Sequence, residues 1–391
     1  MPGAGVGARV AEVRKVRGWN QRALASRANI SYSLLTKIES GAMPATPAVI
    51  GALARTLRVD ITRLTGQPYE AASATSEQIY QPVQALRRLL LAYDIPVPPG
   101  TPPRPLNEIA TEISAMAALR RQANFKQLAP ALPPLIEELQ FLALTAAGTQ
   151  REQALRLLAE VYYGVECLGS GVGYADLHLL AVERIAWCAD HVGDPLLIAA
   201  AKWGRSISLM REGAYQAGLH LLANARAALD SFDTAALAMT GSLHLREALL
   251  AARDNRTPDA WSHIAEAERI AHHTGETDLH DLHFGPSNTL MYAVSVGVDL
   301  GDGARAVQIA TNRREPLALT PELLGCHLID LARAHLLLGD RTHALQTLYQ
   351  ARQASAQQTR HHPQSRELVL AIASSGRGSE ELTSFANWLG I

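Results

Sequence analysis

The segment 31–40 alternates polar and apolar side chains with the period of an α-helix. At 3.6 residues per turn, its polar positions occupy one arc of about 140°, and Leu34, Leu35 and Ile38 occupy the opposite side. Ser31 suits an N-cap, and Gly41 suits the left-handed conformation that ends many helices. The pattern predicts a helix with a buried apolar side and a front of hydrogen-bonding groups, namely Tyr32, Ser33, Thr36, Lys37 and Ser40.

The preceding residues 21–30 predict a second helix and a tight corner. Asn20 can cap that helix, and Leu24 and Ala28 form its inner stripe. Asn29 accepts a positive φ more readily than any other residue except glycine, and a tight turn between helices requires one. The spacing of small, turn and apolar residues over both segments is typical of a helix-turn-helix.

These residues resemble the XRE family, whose helix-turn-helix domain is shared with the lambdoid phage repressors. The resemblance covers residues 5–66 and is carried by RGWNQRALA, ANISYSLLTKIESG and TPAVIGALARTLRVDITRLTG. It implies a five-helix, lambda-repressor-like DNA-binding domain, which we place at residues 1–68.

The resemblance also implies which side chains contact DNA. Tyr32, Ser33 and Lys37 would face base edges. Arg14 and Glu39 would form a structural pair that ties the first helix to the end of the recognition helix. Tyrosine offers no bidentate base contact, so we expect DNA shape to supply part of the specificity. The expected contacts to the phosphate backbone are Gln21, Ser31, Thr36 and Ser40.

The chain changes character after residue 68. Residues 69–103 combine one predicted helix with a proline-rich linker, which should hold the DNA-binding domain away from the rest of the protein. The run IPVPPGTPPRP (95–105) has six prolines in eleven residues and cannot be helical. Residues 104–391 show helical patterns rich in Ala and Leu, so we predict an all-α fold.

A short turn followed by a helix with a small residue recurs in the segment 104–391. The small residues are Ala217, Ala260, Ala306 and Ala344, at intervals of 43, 46 and 38 positions. This resembles the tetratricopeptide repeat (TPR), which implies about six or seven helical hairpins stacked into an α-solenoid.

The segment FGPSNTLMYAVSVGVDLGD (284–302) resembles a group of actinobacterial regulators, and the overall plan resembles the peptide-pheromone regulators of Gram-positive bacteria. The resemblance implies a body that dimerises and senses a small molecule or a peptide. The candidate ligand-binding residues are Tyr162, Trp203, Arg246, Asn288 and Tyr292. Trp203 and the nearby Met210 fit a core position at least as well.

The distribution of charge along the chain indicates what kind of partner the protein binds. The formal net charge is −1, but residues 1–66 have ten Lys or Arg and three acids, which gives +7 and leaves −8 for the remainder. A basic segment joined to an acidic body indicates a polyanion that is bound at one end only, here double-stranded DNA. Each phosphate contact releases counterions, so affinity should fall steeply with salt.

The remaining candidate chemistry is sparse. The segment 272–285 is dense in histidine and acid, and His272, His273, His280, Asp281 and His283 could bind zinc or could form a solvated connection. Its spacing matches no known metal framework, so we predict no metal and no cofactor. The three cysteines form no CxxC, and no signal peptide or membrane-spanning stretch is recognisable. Catalytic triads and phosphate loops are also unrecognisable, so we predict that the protein is not an enzyme.

The combination predicts a sequence-specific transcriptional regulator that acts as a homodimer on an inverted repeat, in the cytoplasm and at the nucleoid. The alternative is a TPR-type adaptor for protein interactions, in which the DNA-binding domain is secondary. A co-purifying partner protein, without specific operator binding, would favour the adaptor.

Overall fold

The computed structural model describes residues 5–69, 79–231, 233–279, 282–312, 316–374 and 379–391. The regular secondary structure of these residues is helical, and an isolated β-bridge joins Thr277 to Phe284. The predicted all-α fold is therefore confirmed. No helix in these ranges is long and apolar enough to cross a lipid bilayer.

Five helices form the amino-terminal unit, as predicted, and we call this unit the head. Two of its predicted caps are present: Asn20 accepts a hydrogen bond from the amide of Ala23, and Ser31 accepts one from the amide of Leu34. These bonds satisfy donors that the first turn of a helix leaves free. The five helices are α1 Val6–Val16, α2 Gln21–Arg27, α3 Tyr32–Glu39, α4 Pro47–Leu57 and α5 Ile61–Thr65.

The corner between α2 and α3 has the geometry that its sequence predicts. Asn29 has a φ of 54°, in the left-handed region. Leu24, Leu35 and Ile38 are fully or almost fully buried in the core of the head. The apolar sides of both helices therefore face inward, and the polar side of α3 is left for solvent.

Helix α6 (Val83–Leu91) precedes the proline-rich run, and residues 95–105 are not helical. Arg104 fastens the end of this run to the following helices through ion pairs of 2.8 Å to Glu112 and 2.8 Å to Glu138.

Of the fifteen remaining helices in the described residues, fourteen pack as seven successive pairs, in agreement with the predicted TPR-like α-solenoid. The short helix Ala356–His361 lies between the last two pairs. Hydrophobic clusters run through the whole array, so each pair packs its apolar faces on its neighbours. The helices are α7 Leu106–Arg121, α8 Phe125–Thr145, α9 Gly148–Val172, α10 Ala175–Val192, α11 Pro195–Arg211, α12 Tyr215–Ala227, α13 Thr234–Arg253, α14 Thr257–Thr274, α15 Pro286–Asp299, α16 Gly303–Thr311, α17 Pro321–Leu337, α18 Arg341–Ala354, α19 Ala356–His361, α20 Pro363–Ala373 and α21 Glu380–Leu389.

The structure corrects one position of the repeat pattern. Ala260, Ala306 and Ala344 are fully buried at the fourth residue of α14, α16 and α18. Ala217 is exposed, and the fourth residue of α12 is the buried Gly218. A Cβ on Gly218 would lie 3.0 Å from Leu250 Cδ1, so alanine at this crossing would need the Leu250 side chain to shift.

The head lies against the solenoid, and the expectation that the proline-rich linker holds it away is wrong. Gln364 Nε2 donates to the carbonyl of Ala45 at 3.3 Å, and Arg55 Nη1 donates to the carbonyl of Glu212 at 3.1 Å. A proline run makes the linker locally stiff, but tertiary contacts such as these determine where the head lies relative to the solenoid.

Candidate DNA-reading face and central cavity

The front of α3 faces solvent. Tyr32 is 47% exposed, and Ser33 and Lys37 are exposed as well. The back of the same helix is anchored by the buried side chains of Leu35 and Ile38. Tyr32, Ser33 and Lys37 therefore share one accessible surface, which we call the reading face.

Three of the side chains expected at the DNA backbone make hydrogen bonds within α3. Ser31 caps the helix, and the hydroxyl of Thr36 donates to the carbonyl one turn earlier at 3.0 Å. The hydroxyl of Ser40 donates to a carbonyl three residues earlier at 3.1 Å. Each hydroxyl oxygen also has accepting capacity, and the contacts of these residues with phosphates remain predictions.

Arg14 and Glu39 meet in a two-pronged ion pair between α1 and the end of α3. Arg14 Nε lies 2.6 Å from Glu39 Oε1, and Arg14 Nη2 lies 2.7 Å from Glu39 Oε2. The hydrogen bond to Glu39 raises the pKa of Arg14 above its usual value. Gln21 Nε2 donates to Glu39 Oε2 at 2.9 Å, which engages one of the two N–H groups of this amide within the head. The contact of Gln21 with a phosphate remains a prediction.

A basic side chain that the sequence reasoning missed lies beside the reading face. The guanidinium of Arg22, on α2, stands 5.5 Å from the ring centroid of Tyr32, within the range of a cation–π contact. Its position next to Gln21 at the start of α2 is the signal that could have identified it. Arg22 is exposed and adds positive charge beside Tyr32 on the same surface.

A cavity of about 420 Å³ lies between the head and the solenoid, and we call it the central cavity. α4 and α5 contribute Ile50, Ile61 and Thr65 to its wall. The solenoid contributes four of the five predicted ligand-binding residues, Trp203, Arg246, Asn288 and Tyr292. The structure therefore brings these four together from three different helices and places the head at the same cavity.

Arg246 is the unusual member of this wall. It is only 7% exposed, and its Nε has no hydrogen-bond partner among the described residues. Its guanidinium carbon stands 4.1 Å from the ring centroid of Trp203 and 5.6 Å from that of Tyr292. A buried cation that is held by aromatic faces without a hydrogen-bonded anion is a ready partner for a ligand carboxylate or phosphate.

The prediction that Tyr162 lines the ligand site is not supported by its position. Tyr162 is fully buried in the core around α9, and its hydroxyl accepts a hydrogen bond from Gln140 Nε2 at 2.8 Å. It is absent from the wall of the central cavity. Helix α9 packs against α7, α8 and α10, so the side of the helix that has Tyr162 is covered by its neighbours.

Two further wall residues combine a structural contact with the cavity surface. Asn288 Nδ2 donates to the carbonyls of Leu282 and His283, so this amide fixes the loop before α15. Met210 and Trp203 both line the cavity, although Met210 is also part of the hydrophobic core. The core and cavity interpretations of Trp203 and Met210 are therefore compatible.

The histidine-rich segment 272–285 does not gather a metal site in its described part. His272 and His273 are exposed at the end of α14, and His283 faces Asp278 at 3.3 Å. His280 and Asp281 lie outside the described residues. The described side chains that do have metal-ligand spacing belong to His244, Glu247 and His263, on α13 and α14.

Comparison with known proteins identifies the head. Residues 6–65 match the family described as "Helix-turn-helix domain". No curated protein matches the chain. A helix-turn-helix is a DNA-binding module rather than a catalytic one, in agreement with the prediction that the protein is not an enzyme.

Two solved structures are similar to the chain at a low level. PlcR of Bacillus thuringiensis, in complex with the peptide PapR7 and DNA, is 16% identical with a TM-score of 0.29, over 68% of this chain and 93% of that one. PrgX is 8% identical with a TM-score of 0.22, over 97% of this chain and 98% of that one.

Proposed function

Because residues 6–65 form a helix-turn-helix domain, we propose that the protein is a sequence-specific, DNA-binding transcriptional regulator. The observation that supports this most directly is the reading face of Tyr32, Ser33 and Lys37, which is exposed on a helix with a buried apolar back. A recognition helix must offer polar side chains to the major groove while its other side is held by the domain.

The proposed contacts divide by the chemistry of each side chain. Lys37 donates to base-edge acceptors, Ser33 donates or accepts, and Tyr32 stacks on or touches the methyl group of thymine. Gln21, Ser31, Thr36 and Ser40 position the phosphate backbone. This set gives modest direct readout, so the deformability of the operator contributes to selectivity.

We propose that two copies act together. One eight-residue recognition helix reads only a few base pairs, and a second copy about one helical turn away multiplies the affinity. The operator is then an inverted repeat, because a two-fold symmetric dimer presents the same face to both half-sites. A regulator of this kind acts in the cytoplasm, at the nucleoid.

We propose that the solenoid senses an anionic effector in the central cavity. The volume of about 420 Å³ suits a small molecule or one end of a peptide. Arg246 would hold a carboxylate or phosphate of the effector, and Trp203 and Tyr292 would contact its apolar part. Since α4 and α5 line the same cavity, an effector there contacts both the head and the solenoid.

The proposal is tested by selecting bound fragments from a random duplex library with the full chain. The expected result is an enriched inverted repeat whose half-sites are about one helical turn apart. The combined variant Ser33→Ala and Lys37→Ala is the matched control, because it alters two exposed side chains and leaves the core of the head unchanged. Sequences that remain random after repeated selection, or that the control variant enriches equally, would contradict a reading role for α3.

A further inference from the structure

Three potential metal ligands converge between α13 and α14, far along the chain from the reading face. His244 and Glu247 lie three residues apart on α13, so their side chains emerge from the same side of that helix. His263 projects from α14, the other helix of the same hairpin. The group is separate from the histidine-rich segment 272–285, and the function proposed above makes no use of it.

The distances between the three ligand atoms match one face of a tetrahedron. His244 Nδ1 lies 2.9 Å from His263 Nδ1. Glu247 Oε2 lies 3.4 Å from His244 Nδ1 and 3.5 Å from His263 Nδ1. Tetrahedral zinc with bonds of about 2.05 Å to nitrogen and oxygen has ligand atoms about 3.3 Å apart. We propose that His244, Glu247 and His263 form a binding site for a divalent transition-metal ion, zinc first.

The three ligands differ in how far solvent reaches them. The side chains of His244 and Glu247 are 10% and 3% exposed, whereas that of His263 is 23% exposed. The ion can approach past His263, and water can supply its fourth ligand.

Arg226 is the competitor for the carboxylate. Its Nε lies 3.4 Å from Glu247 Oε2 and its Nη2 lies 3.4 Å from Glu247 Oε1, at the long end of hydrogen-bond distances. In the metal-bound state, Glu247 Oε1 accepts from Arg226 and Glu247 Oε2 coordinates the ion. The other charged side chains around the two histidines occur as ion pairs of opposite sign. Glu266 pairs with Arg269, and Asp259 pairs with Arg256.

The site would tie α13 to α14. Arg246 lies on α13 between His244 and Glu247, and its side chain faces the central cavity. An ion that fixes this turn of α13 also fixes the residue proposed to hold the effector. The competing arrangement is one proton shared between the two Nδ1 atoms, which needs no metal.

Zinc itself is the probe that separates the two arrangements. The full chain is stripped with a chelator and titrated with Zn²⁺ against a colorimetric zinc indicator. The variants are His263→Gln, which removes the most exposed ligand, and His272→Gln, a matched control at an exposed histidine of the same helix. We expect one zinc per chain in the wild type and in the control, and an affinity at least about tenfold weaker in His263→Gln.

Cobalt provides a second readout on the wild type that does not depend on any variant folding. Co²⁺ should give the visible bands of four-coordinate nitrogen and oxygen ligation without a thiolate charge-transfer band. Absence of stoichiometric zinc in the wild type would overturn the proposal. So would wild-type affinity in His263→Gln, or a thiolate band that assigns the ion to Cys167, Cys188 or Cys326.

Discussion

The carboxylate of Glu367 accepts a hydrogen bond from the backbone amide of Val6 at 2.9 Å, across 361 positions of the chain. Val6 is the first residue of α1, and the N-cap Gly5 has no side chain to satisfy that turn. Glu367, on α20 of the solenoid, therefore caps the first helix of the head. This buried bond is one of the contacts that fix the placement of the DNA-binding domain on the solenoid.

Replacing Glu367 should loosen the head from the solenoid only if the acceptor oxygen is lost. We expect Glu367→Ala to leave the Val6 amide unsatisfied and to weaken docking by about 1–3 kcal/mol. Glu367→Gln keeps an oxygen acceptor and should dock as well as the wild type. Hydrogen–deuterium exchange of the α1 peptide measures the difference, and the exposed Glu381→Ala is the control. Equal exchange in the alanine variant and the wild type would show that the cap does not hold the head.

The Glu367–Val6 contact should stabilise docking less as the pH rises. Burial raises the pKa of Glu367 above its usual value, although the Val6 amide and the charge of Arg9 oppose the shift. A carboxyl whose folded pKa is raised binds its proton more tightly when folded, so its stabilisation is full below the ordinary pKa. That stabilisation is lost as the pH rises through the folded value.

We therefore expect docking in the wild type to weaken as the pH rises from about 4 towards 7, relative to Glu367→Gln. The measurement is the difference in α1 exchange between the two proteins at each pH. A difference that is constant, or that changes in the opposite direction, would contradict a raised pKa. Other titrating groups are common to both proteins and cancel in the comparison.

Lys37 provides the sharpest test of the reading face. Lys37→Ala should weaken specific operator binding by about 1–3 kcal/mol if its ammonium group reaches a base edge. A purely phosphate contact should cost less, act on all sequences alike and reduce the salt slope by about one. Filter binding at two salt concentrations separates these results, with the body residue Lys126→Ala as the charge-matched control. Unchanged binding would remove Lys37 from the interface.

The crossing of α1 over α3 should require glycine at position 7. A Cβ there would lie 1.8 Å from the carbonyl oxygen of Ile38, and this backbone atom cannot rotate away. Gly7→Ala should therefore destabilise the head by about 3 kcal/mol. Gly204→Ala is the control, because its Cβ would meet nothing within 4 Å and alanine favours a helix. Faster exchange in α1 and α3 of Gly7→Ala alone is the expected outcome.

The sequence was sufficient to predict structure where the signal lies in residues that are close together along the chain. The caps Asn20 and Ser31, the positive φ of Asn29 and the polar front of α3 each depend on residues within one or two turns. The all-α class followed in the same way, from helical periodicity without strand patterns. The two helices of the helix-turn-helix could therefore be predicted from local signals, whereas the five-helix domain was implied by the family resemblance.

What the sequence could not predict depends on contacts between distant segments. Nothing near Glu367 indicates that it caps a helix 361 positions away, and nothing near Ile50 indicates a cavity shared with Arg246. Tyr162 was misplaced because a tyrosine on a solenoid helix fits a groove and a core equally well by periodicity. The meeting of His263 with α13 likewise requires the register of two packed helices.

Replacing either Arg246 or Arg253 of the central cavity by methionine should change the free energy of unfolding, and the two changes should have opposite signs. Arg253 Nε lies 2.7 Å from Asp299 Oδ2, and Arg333 Nη2 lies 2.9 Å from Asp299 Oδ1, so Arg253 is one partner of a buried ion pair. Arg246 has aromatic neighbours and no hydrogen-bonded anion among the described residues. We therefore expect Arg253→Met to lower the free energy of unfolding by about 1.5–3 kcal/mol, because it leaves the buried Asp299 with Arg333 as its remaining ion-pair partner.

Arg246→Met should instead raise the free energy of unfolding by about 1 kcal/mol. It removes a buried charge that has no hydrogen-bonded anion among the described residues, and it keeps an apolar side chain beside Trp203. Urea denaturation of both variants measures the signs without any ligand. The wild type should then be stabilised by members of a panel of small carboxylates and not by the matching neutral amides, whereas Arg246→Met should respond to neither. If Arg246→Met is destabilised as strongly as Arg253→Met, Arg246 already has an anionic partner within the protein. In that case the central cavity offers no free cation to an effector.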